Sequence, residues 1–562
     1  MKRSDAVLAF LVATVLGLLG GTPFDHPDFV TGHVGQVVTH FGNPKFFNYP
    51  GLLIYLFTLL YGAIFIVLYL AGAVGTPREF KTLIDGGTLI SDPIAIPSFL
   101  PGHIVIVLFS FLGLYSIMSL TLRITGRRLA AVLALSVAGL SLLWVSNAHM
   151  LTVDLPSTAL VIAAVAAYVA IGADAPLPGK IASVPAILAG LATATKYPAG
   201  LLVLALGIAE VAAPNRALRE RLRRAFLVGL VALLTFLVVN PFILLDFGRF
   251  WRDLSSELGH SSGGHHGFAS TGVSHHFVES LGVGIGIPAL LAGVVGLGLF
   301  ARNIAFSRPQ RLAVLLFPVL HMGMISMSQL GFHRYALPVV PFLACGVGYA
   351  AYWAHRRLNV RLLYVVGLCL IAVLWHARST VTMLRLLRGP DTRGILAKVL
   401  PRLGEAEHVW VSTYARRVLD PELTSTEEPP FSLLILEGFS IDRHVAEACS
   451  LDAIVSQELL RLDTVLVINP FTAPRSRVPY SSQSMYAPYP PDLAWRRMAG
   501  PYIEVYFDAS RGSMLRSGVD APGVAVLPAE QGFYRRTLVG RCKAHADTRR
   551  DGRERQVAPA VS

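Results

Sequence analysis

Acidic side chains recur in this sequence where long apolar segments end. The stretch "TPFDHPDFV" carries Asp25, His26 and Asp28 directly after the first apolar segment, and Asp154 closes the later stretch "SNAHMLTVD". A carboxylate in such a place can act as a general base on a hydroxyl or an amine. Ionisable groups beside apolar segments are energetically costly, so these positions are candidates for a functional site.

Cationic side chains occupy similar places further along the chain. "TATKYP" contains Lys196 and Tyr197, and "GFHRY" contains His333 and Arg334. Lysine and arginine bind phosphate groups well, and arginine does so with two parallel hydrogen bonds. A phosphate that departs during a reaction needs this kind of charge stabilisation. Acids and cations together predict transfer of a group from a lipid-linked phosphate to an acceptor.

Histidines cluster in the flexible stretch "GHSSGGHHGF", where His265 and His266 are candidates for substrate contacts, as are Asp25 and His26. The stretch lacks the fixed spacing of a zinc site, and binding residues are often found on such loops. Whether the protein uses a divalent metal is left open by the sequence. The Gly-rich segment "GVGIGIPALLAGVVGLG" follows no strand, so it predicts helix packing and no nucleotide cofactor.

The composition indicates the class of protein that holds these residues. Of 562 residues, 53% are hydrophobic and 15% are charged, compared with about 25% charged in soluble domains. Several segments approach the ~20 apolar residues that cross a bilayer. The net charge of +13 lies mostly in short loops between these segments, which argues for cytoplasmic loops and against nucleic acid. We expect a multi-pass membrane protein.

The fold class expected is an α-helical polytopic protein with about 11 spanning helices and additional juxtamembrane helices. Four basic loops (123–128, 215–224, 302–311 and 355–361) are separated by even numbers of apolar segments, so all four can face the cytoplasm with the N-terminus. Segment 5–22 is expected to be an uncleaved helix rather than a signal peptide. Segment 49–72 is expected at the interface; a true span paired with a re-entrant piece in 83–100 is the alternative.

A polar C-terminal region follows the last apolar segment. We expect a transmembrane domain over 1–384, an extracytoplasmic α/β domain over 385–545 and a disordered tail over 546–562. "PDTRGILAKVLPRLG" predicts a surface helix, while "HVWVST" and "DTVLVIN" predict strands. Cys345 and Cys369 lie in apolar segments. Whether Cys449 and Cys542 form a disulfide depends on the side of the membrane.

In order along the chain, several motifs resemble those of GT-C type glycosyltransferases that use polyprenyl-phosphate sugars, such as protein O-mannosyltransferases and aminoarabinose transferases of lipid A. The motifs are "HPD", "NPKFFNYPGLLIYL", "TVD", "GLATATKYPAGLLVL", "NPFILLDFGRFWRDL", "FHRYALPVVPFLA" and "PDTRGILAKVLP". No single motif is specific for the family, but the set of motifs in this order is a strong indication of it. It covers about residues 5–405.

The resemblance implies roles for particular residues. Asp28 would be the catalytic base, and Asp154 would be the second acidic residue of the catalytic site, which helps to organise it. Lys196 and Arg334 would hold the lipid phosphate with Tyr197 and His333 beside them. The family usually has Glu after the first Asp, where this chain has Phe29. Structural roles are considered beside these: Asp154 could cap the helix that follows, which does not exclude a role in the site, and Lys196 could simply reach toward the headgroups.

The function that the resemblance implies is inverting transfer of a monosaccharide from a polyprenyl phosphate to a glycan, lipid or protein acceptor outside the cytosol. The expected location is the plasma membrane of the cell envelope, where membrane lipids surround the chain. Two alternatives stay open: a transporter or flippase of lipid-linked sugars, and a non-catalytic envelope assembly protein.

Overall fold

The structure, a computed structural model, describes residues 3–19, 33–80, 100–172, 184–214, 216–263, 272–403, 408–412, 430–438, 441, 453–478, 492–508 and 523–537. These residues divide into two compact units, a helical unit up to Arg388 and a C-terminal unit from Gly389. Several predicted features lie outside the described residues: Asp25, His26, Asp28, His265, His266, Cys449, Cys542 and the tail from 546.

The helical unit is built from long apolar helices joined by short connections. In chain order its helices are α1 (Arg3–Leu19), α2 (Val34–Thr39), α3 (Leu52–Leu70), α4 (Leu100–Thr125), α5 (Arg128–Gly139), α6 (Leu142–Ala148), α7 (Asp154–Ile171), α8 (Val184–Thr193), α9 (Leu201–Val211), α10 (Leu218–Val239), α11 (Phe242–Leu245), α12 (Phe247–Gly263), α13 (Val273–Ile285), α14 (Ile287–Ala301), α15 (Arg308–Met327), α16 (Val340–Leu358) and α17 (Leu362–Arg388). Short 3₁₀ helices cover Tyr197–Gly200 and His333–Val339.

Among the described helices, seven are long and apolar enough to cross a membrane, or up to nine if each of two bent pairs forms one span. The shorter apolar helices Ser4–Val15, Val184–Thr193 and Tyr197–Val211 coincide with three further predicted spans. The count of about 11 therefore stays a prediction. The 19 residues of α3 fit a true span as well as the interfacial helix that the sequence favours.

Two breaks interrupt apolar segments. The pair α5–α6 bends by 63°, and Ser141 caps α6 by accepting a hydrogen bond from the Trp144 backbone N–H. The pair α13–α14 bends by 110° at Gly286, whose φ of +87° suits glycine because it lacks a Cβ. Apolar composition alone does not reveal such bends.

Helices α14 and α16 pack backbone to backbone. A Cβ on Gly296 would overlap the carbonyl oxygen of Gly346, and a Cβ on Gly293 would lie 2.8 Å from that of Leu343. Small residues allow this close approach where helices pack in a bilayer. The prediction of helix packing for the Gly-rich segment is confirmed.

The C-terminal unit contains a five-stranded mixed sheet. Its strands are β1 (Val409–Val411), β2 (Leu433–Glu437), β3 (Thr464–Ile468), β4 (Ile503–Phe507) and β5 (Val524–Pro528), in the order β1-β2-β4-β3-β5. Among these described strands, β1 and β2 pair in parallel and the other neighbours pair in antiparallel fashion. Both strands predicted from "HVWVST" and "DTVLVIN" are present.

Helices cover both faces of this sheet. On one face, α18 (Thr392–Val399) packs Leu396 and Val399 against the strands; it is therefore partly buried, where the sequence predicted a surface helix. Asp391 caps α18 by accepting a hydrogen bond from the Arg393 N–H. On the other face, α19 (Ala453–Arg461) contributes Leu459.

Candidate active site

A buried ion pair joins two of the predicted site residues. Asp154 is the first residue of α7, and Lys196 lies in the connection after α8, in extended conformation. The Lys196 Nζ donates to Asp154 Oδ1 at 2.5 Å, and the two side chains are 14% and 5% exposed. Because both groups are buried, each depends on the other for charge compensation.

Arg334 completes the cluster from the other side. It stands in the 3₁₀ helix that precedes α16, with its Nε 3.7 Å from Asp154 Oδ2 and its side chain 9% exposed. One carboxylate thus faces two cations, so the three groups together carry a formal charge of +1. The cluster is suited to attract an anion.

Aromatic rings hold the two cations in place. The Tyr335 ring lies 4.5 Å from Lys196 Nζ and 5.7 Å from Arg334 Cζ, while the Phe332 ring lies 4.3 Å from Arg334 Cζ. Ring faces attract cations more strongly when water is excluded. The segment 332–335 therefore supplies Arg334 and also the two aromatic rings that orient Arg334 and Lys196.

The structure contradicts the capping role considered for Asp154. The N-cap of α7 is Val153, without a side-chain capping bond, and Asp154 is the first helical residue. Its carboxylate contacts Lys196 and Arg334, both distant in sequence, while still gaining from the positive end of the helix dipole. Lys196 likewise turns toward Asp154, so its amine has a specific partner.

A cavity of about 220 Å³ opens beside Lys196. Apolar residues from three helices form much of its wall, including Val161 of α7, Leu254 of α12 and Phe317 of α15. The remaining residues of the lining are Asn48, Tyr49, Ser157, Tyr197, Pro198, Ala199, Glu257, Leu258, Ser261, His321, Met324, Ile325, Ser328, Leu330, Tyr335 and Pro338. Lys196 thus places a positive charge on an otherwise largely apolar wall.

Hydrogen bonds hold the segment 43–48 beside the cavity, which Asn48 lines. The Phe47 backbone N–H donates to Asp253 at 2.9 Å, and the Phe47 carbonyl accepts from the Tyr197 hydroxyl at 2.9 Å. Asn48 donates to Glu257 at 3.2 Å. Asp253 and Glu257 belong to α12, so this helix anchors the segment.

A second ion pair fixes the start of the same segment. Lys45 Nζ lies 2.8 Å from Asp246, which also accepts from Asn43 at 2.7 Å. The hydrogen bonds from Lys45 and Asn43 lower the pKa of the Asp246 carboxyl below its ordinary value. Asp246 therefore stays ionised near neutral pH and acts as an anchor.

His333 belongs to a group of imidazoles. Its ring centroid lies 5.6 Å from that of His275, which lies 5.2 Å from that of His276. In the described residues the cavity lining includes Lys196 and Tyr197, whereas His333 and Arg334 stand outside it. The structure thus brings Asp154, Lys196 and Arg334 together and places His333 in a neighbouring cluster.

Sequence reasoning missed several residues of this region. His321 of α15 lines the cavity, and His103 of α4 stacks on His149 with ring centroids 5.5 Å apart. The available signal was an isolated histidine within an apolar segment. Within the described ranges, no three His, Cys, Asp or Glu side chains come close enough to hold a metal ion.

No protein-family model matches the sequence, and no curated protein matches it in sequence. Solved structures do match. The oligosaccharyltransferase AglB from Archaeoglobus fulgidus, in complex with an inhibitory peptide and a dolichol-phosphate, aligns with a TM-score of 0.50 at 10% identity, over 85% of this chain and 75% of that chain. ArnT from Cupriavidus metallidurans, bound to undecaprenyl phosphate, aligns with a TM-score of 0.47 at 15% identity, over 80% and 94%.

Another structure of the Archaeoglobus fulgidus oligosaccharyltransferase, in complex with zinc and sulfate, aligns with a TM-score of 0.45 at 12% identity, over 73% of this chain. The chain spans only 60% of that protein's length. At such identities the likeness concerns the fold. The resemblance predicted from the motifs is confirmed at this level: the chain is similar in fold to GT-C type membrane glycosyltransferases.

Proposed function

We propose that this chain is an integral membrane glycosyltransferase that moves a monosaccharide from a polyprenyl phosphate to an acceptor outside the cytosol. The observation that carries the proposal is the buried cluster of Asp154, Lys196 and Arg334 beside a largely apolar cavity. A GT-C type fold and the ordered sequence motifs support it. The proposal includes a cytoplasmic N-terminus and an extracytoplasmic C-terminal unit.

The cluster suits a lipid phosphate because it joins positive charge to an apolar surface. Lys196 uses one N–H for Asp154, and an ammonium has two more to donate. Arg334 supplies a planar guanidinium, the group that matches phosphate oxygens best. As the sugar–phosphate bond breaks, negative charge grows on the phosphate, and the two cations would stabilise it. Asp154 holds them in position.

The acceptor side of the reaction is assigned to Asp28 on the strength of the motif resemblance. Its carboxylate would take the proton from the acceptor hydroxyl or amine. The freed lone pair attacks the anomeric carbon opposite the phosphate, the carbon–oxygen bond to phosphate breaks, and the sugar is inverted. Polyprenyl phosphate leaves with the bonding electrons.

A flippase of lipid-linked sugars is the second candidate. The bends of 63° and 110° within two apolar helix pairs favour it, because transporters often use discontinuous helices. Both functions would need Lys196 and Arg334 to bind a lipid phosphate. They differ in whether the sugar leaves the lipid.

The test is reconstitution into liposomes with undecaprenyl phosphate carrying radiolabelled hexoses or pentoses, and membrane extract as acceptor. We expect the label to leave the lipid in wild type, and Lys196→Met to slow this at least tenfold by removing phosphate stabilisation. Lys398→Met is the matched control, since Lys398 is an exposed lysine of α18 in the C-terminal unit, and it should retain activity. Label that crosses the bilayer while still on the lipid would establish the flippase instead.

A further inference from the structure

His321 is a buried histidine that the reaction scheme above does not use. It stands on α15, is 4% exposed and lines the same cavity as Lys196. Its Nε2 lies 2.8 Å from the carbonyl oxygen of Tyr335. A carbonyl only accepts, so Nε2 carries the proton. The hydrogen bond therefore fixes the tautomer and the orientation of the ring.

The other ring nitrogen is left with an unused lone pair. In the neutral ring with its proton on Nε2, Nδ1 can only accept a hydrogen bond. Nδ1 is buried and has no hydrogen-bond partner among the described residues. An acceptor that stays unpartnered in the interior is destabilising, so a ligand that offers a donor here would be favoured.

Other polar groups of the cavity also present acceptors. The Tyr197 hydroxyl donates to the Phe47 carbonyl and the Ser157 hydroxyl to the Ala192 carbonyl, which leaves oxygen lone pairs. Glu257 adds a carboxylate, which accepts from Asn48. Lys196 is the cation on this wall. Such a wall fits a molecule with several hydroxyl donors and one negative group.

The size of the cavity narrows the ligand. Its volume of about 220 Å³ is below the ~300–1,000 Å³ of sites for drug-sized molecules. It suits one sugar ring. An isoprenoid chain would fill the apolar part but has no donor for His321 Nδ1. A monosaccharide attached to a phosphate satisfies size, donors and charge together.

We propose that this cavity is the subsite for the sugar ring of the lipid-linked donor, and that His321 Nδ1 accepts a hydrogen bond from a ring hydroxyl. His321 is then a specificity-determining residue that separates sugar-bearing from bare lipid phosphate. This inference rests on the proposed function, because it takes Lys196 as the phosphate ligand.

Two substitutions separate the two nitrogens of His321. His321→Gln places an amide near Nε2, keeping the donor to the Tyr335 carbonyl and losing the acceptor at Nδ1. His321→Asn places an amide near Nδ1 and loses the bond to Tyr335. Binding is measured in detergent with undecaprenyl phosphate and with undecaprenyl phosphate carrying mannose, glucose or arabinose.

We expect wild type to prefer at least one sugar-bearing lipid over undecaprenyl phosphate. His321→Gln should lower affinity for that lipid about tenfold and leave affinity for undecaprenyl phosphate unchanged. His321→Asn should keep most of the preference. Equal losses for both lipids in His321→Gln, or greater loss of preference in His321→Asn, would show a structural role and overturn the inference.

The outcome is separable from that of the proposed function, because sugar transfer is measured independently in liposomes. Transfer by wild type with an unchanged lipid preference in His321→Gln overturns the sugar subsite alone. A preference that depends on His321 without any sugar transfer overturns the transferase and supports the flippase.

Discussion

The Nζ of Lys196 lies 2.5 Å from Oδ1 of Asp154, and Arg334 approaches the second oxygen of the same carboxylate at 3.7 Å. A single buried acid therefore organises two cations that come from different parts of the chain. Removing the Asp154 carboxylate therefore affects both the stability of the folded protein and the net charge of the cluster.

Asp154→Asn should destabilise the helical unit. The change leaves two buried cations without their counter-charge, and breaking a buried pair costs about 3–5 kcal/mol. The measurement is the free energy of unfolding of the purified protein in detergent. Asp246→Asn, which breaks the more exposed pair with Lys45, is the control and should cost about 1 kcal/mol or less. Similar losses in both variants would contradict the importance of the buried cluster.

Asp28→Asn should lower sugar transfer at least 100-fold while the protein stays folded and inserted, because general base catalysis contributes ~10²–10⁴ to rate. An amide has nearly the shape of the carboxylate but cannot take the proton. Transfer is measured with radiolabelled polyprenyl-phosphate sugar, and melting temperature serves as the folding control. Unchanged turnover would remove the assignment of Asp28 as base.

Gly296→Ala should destabilise the packing of α14 on α16 by about 1–3 kcal/mol, because the added methyl group meets the Gly346 carbonyl. Gly298→Ala is the matched control, since a Cβ there has nothing within 4 Å. It should be neutral or slightly stabilising, as alanine favours helix. The measurement is the free energy of unfolding of each variant. A smaller loss of stability for Gly296→Ala than for Gly298→Ala would refute the close packing.

The C-terminal unit should lose stability as pH rises past the ordinary range of a glutamate. Burial raises the pKa of Glu504 above its ordinary 4.5, although Tyr506, Tyr502 and two backbone N–H groups donate to it. The folded state then binds more protons than the unfolded state between the two pKa values, so stability is greatest below 4.5 and falls as pH rises through the raised pKa.

The matching measurement is hydrogen exchange of peptides covering β4 in the full-length protein at several pH values, corrected for the intrinsic exchange rate. Glu504→Gln removes the titration and should flatten the pH dependence. It should also lower stability at low pH, because two of the four donors lose their acceptor. A wild-type protein that gains protection with rising pH would contradict the sign.

The sequence places Asp154, Lys196 and Arg334 in connections beside apolar segments, and the motif resemblance assigns Lys196 and Arg334 to one phosphate. The expected topology puts the three connections on the same side of the membrane and stays a prediction, whereas the contacts among the three side chains come from the structure alone. The two strands around Val411 and Val465 were also predictable, since short apolar runs bounded by polar residues favour buried strands.

Other features depend on details that apolar periodicity does not encode. The bend at Gly286 requires a positive φ inside an apolar run, and a glycine there could equally continue a helix. The role of Asp154 as first helical residue rather than cap depends on its distant partners. The hydrogen bond from His321 Nε2 to the Tyr335 carbonyl, which fixes the orientation of the ring, is likewise not encoded in the apolar pattern.

Asp154, Lys196 and Arg334 are made by the ribosome in that order. The first two have opposite charges, so as a pair they have a formal charge of zero. The positive excess of the cluster therefore depends on Arg334 alone, which lies 138 positions after Lys196 in the segment before α16. A substitution that neutralises Arg334 removes the positive excess and leaves the Asp154–Lys196 pair in place.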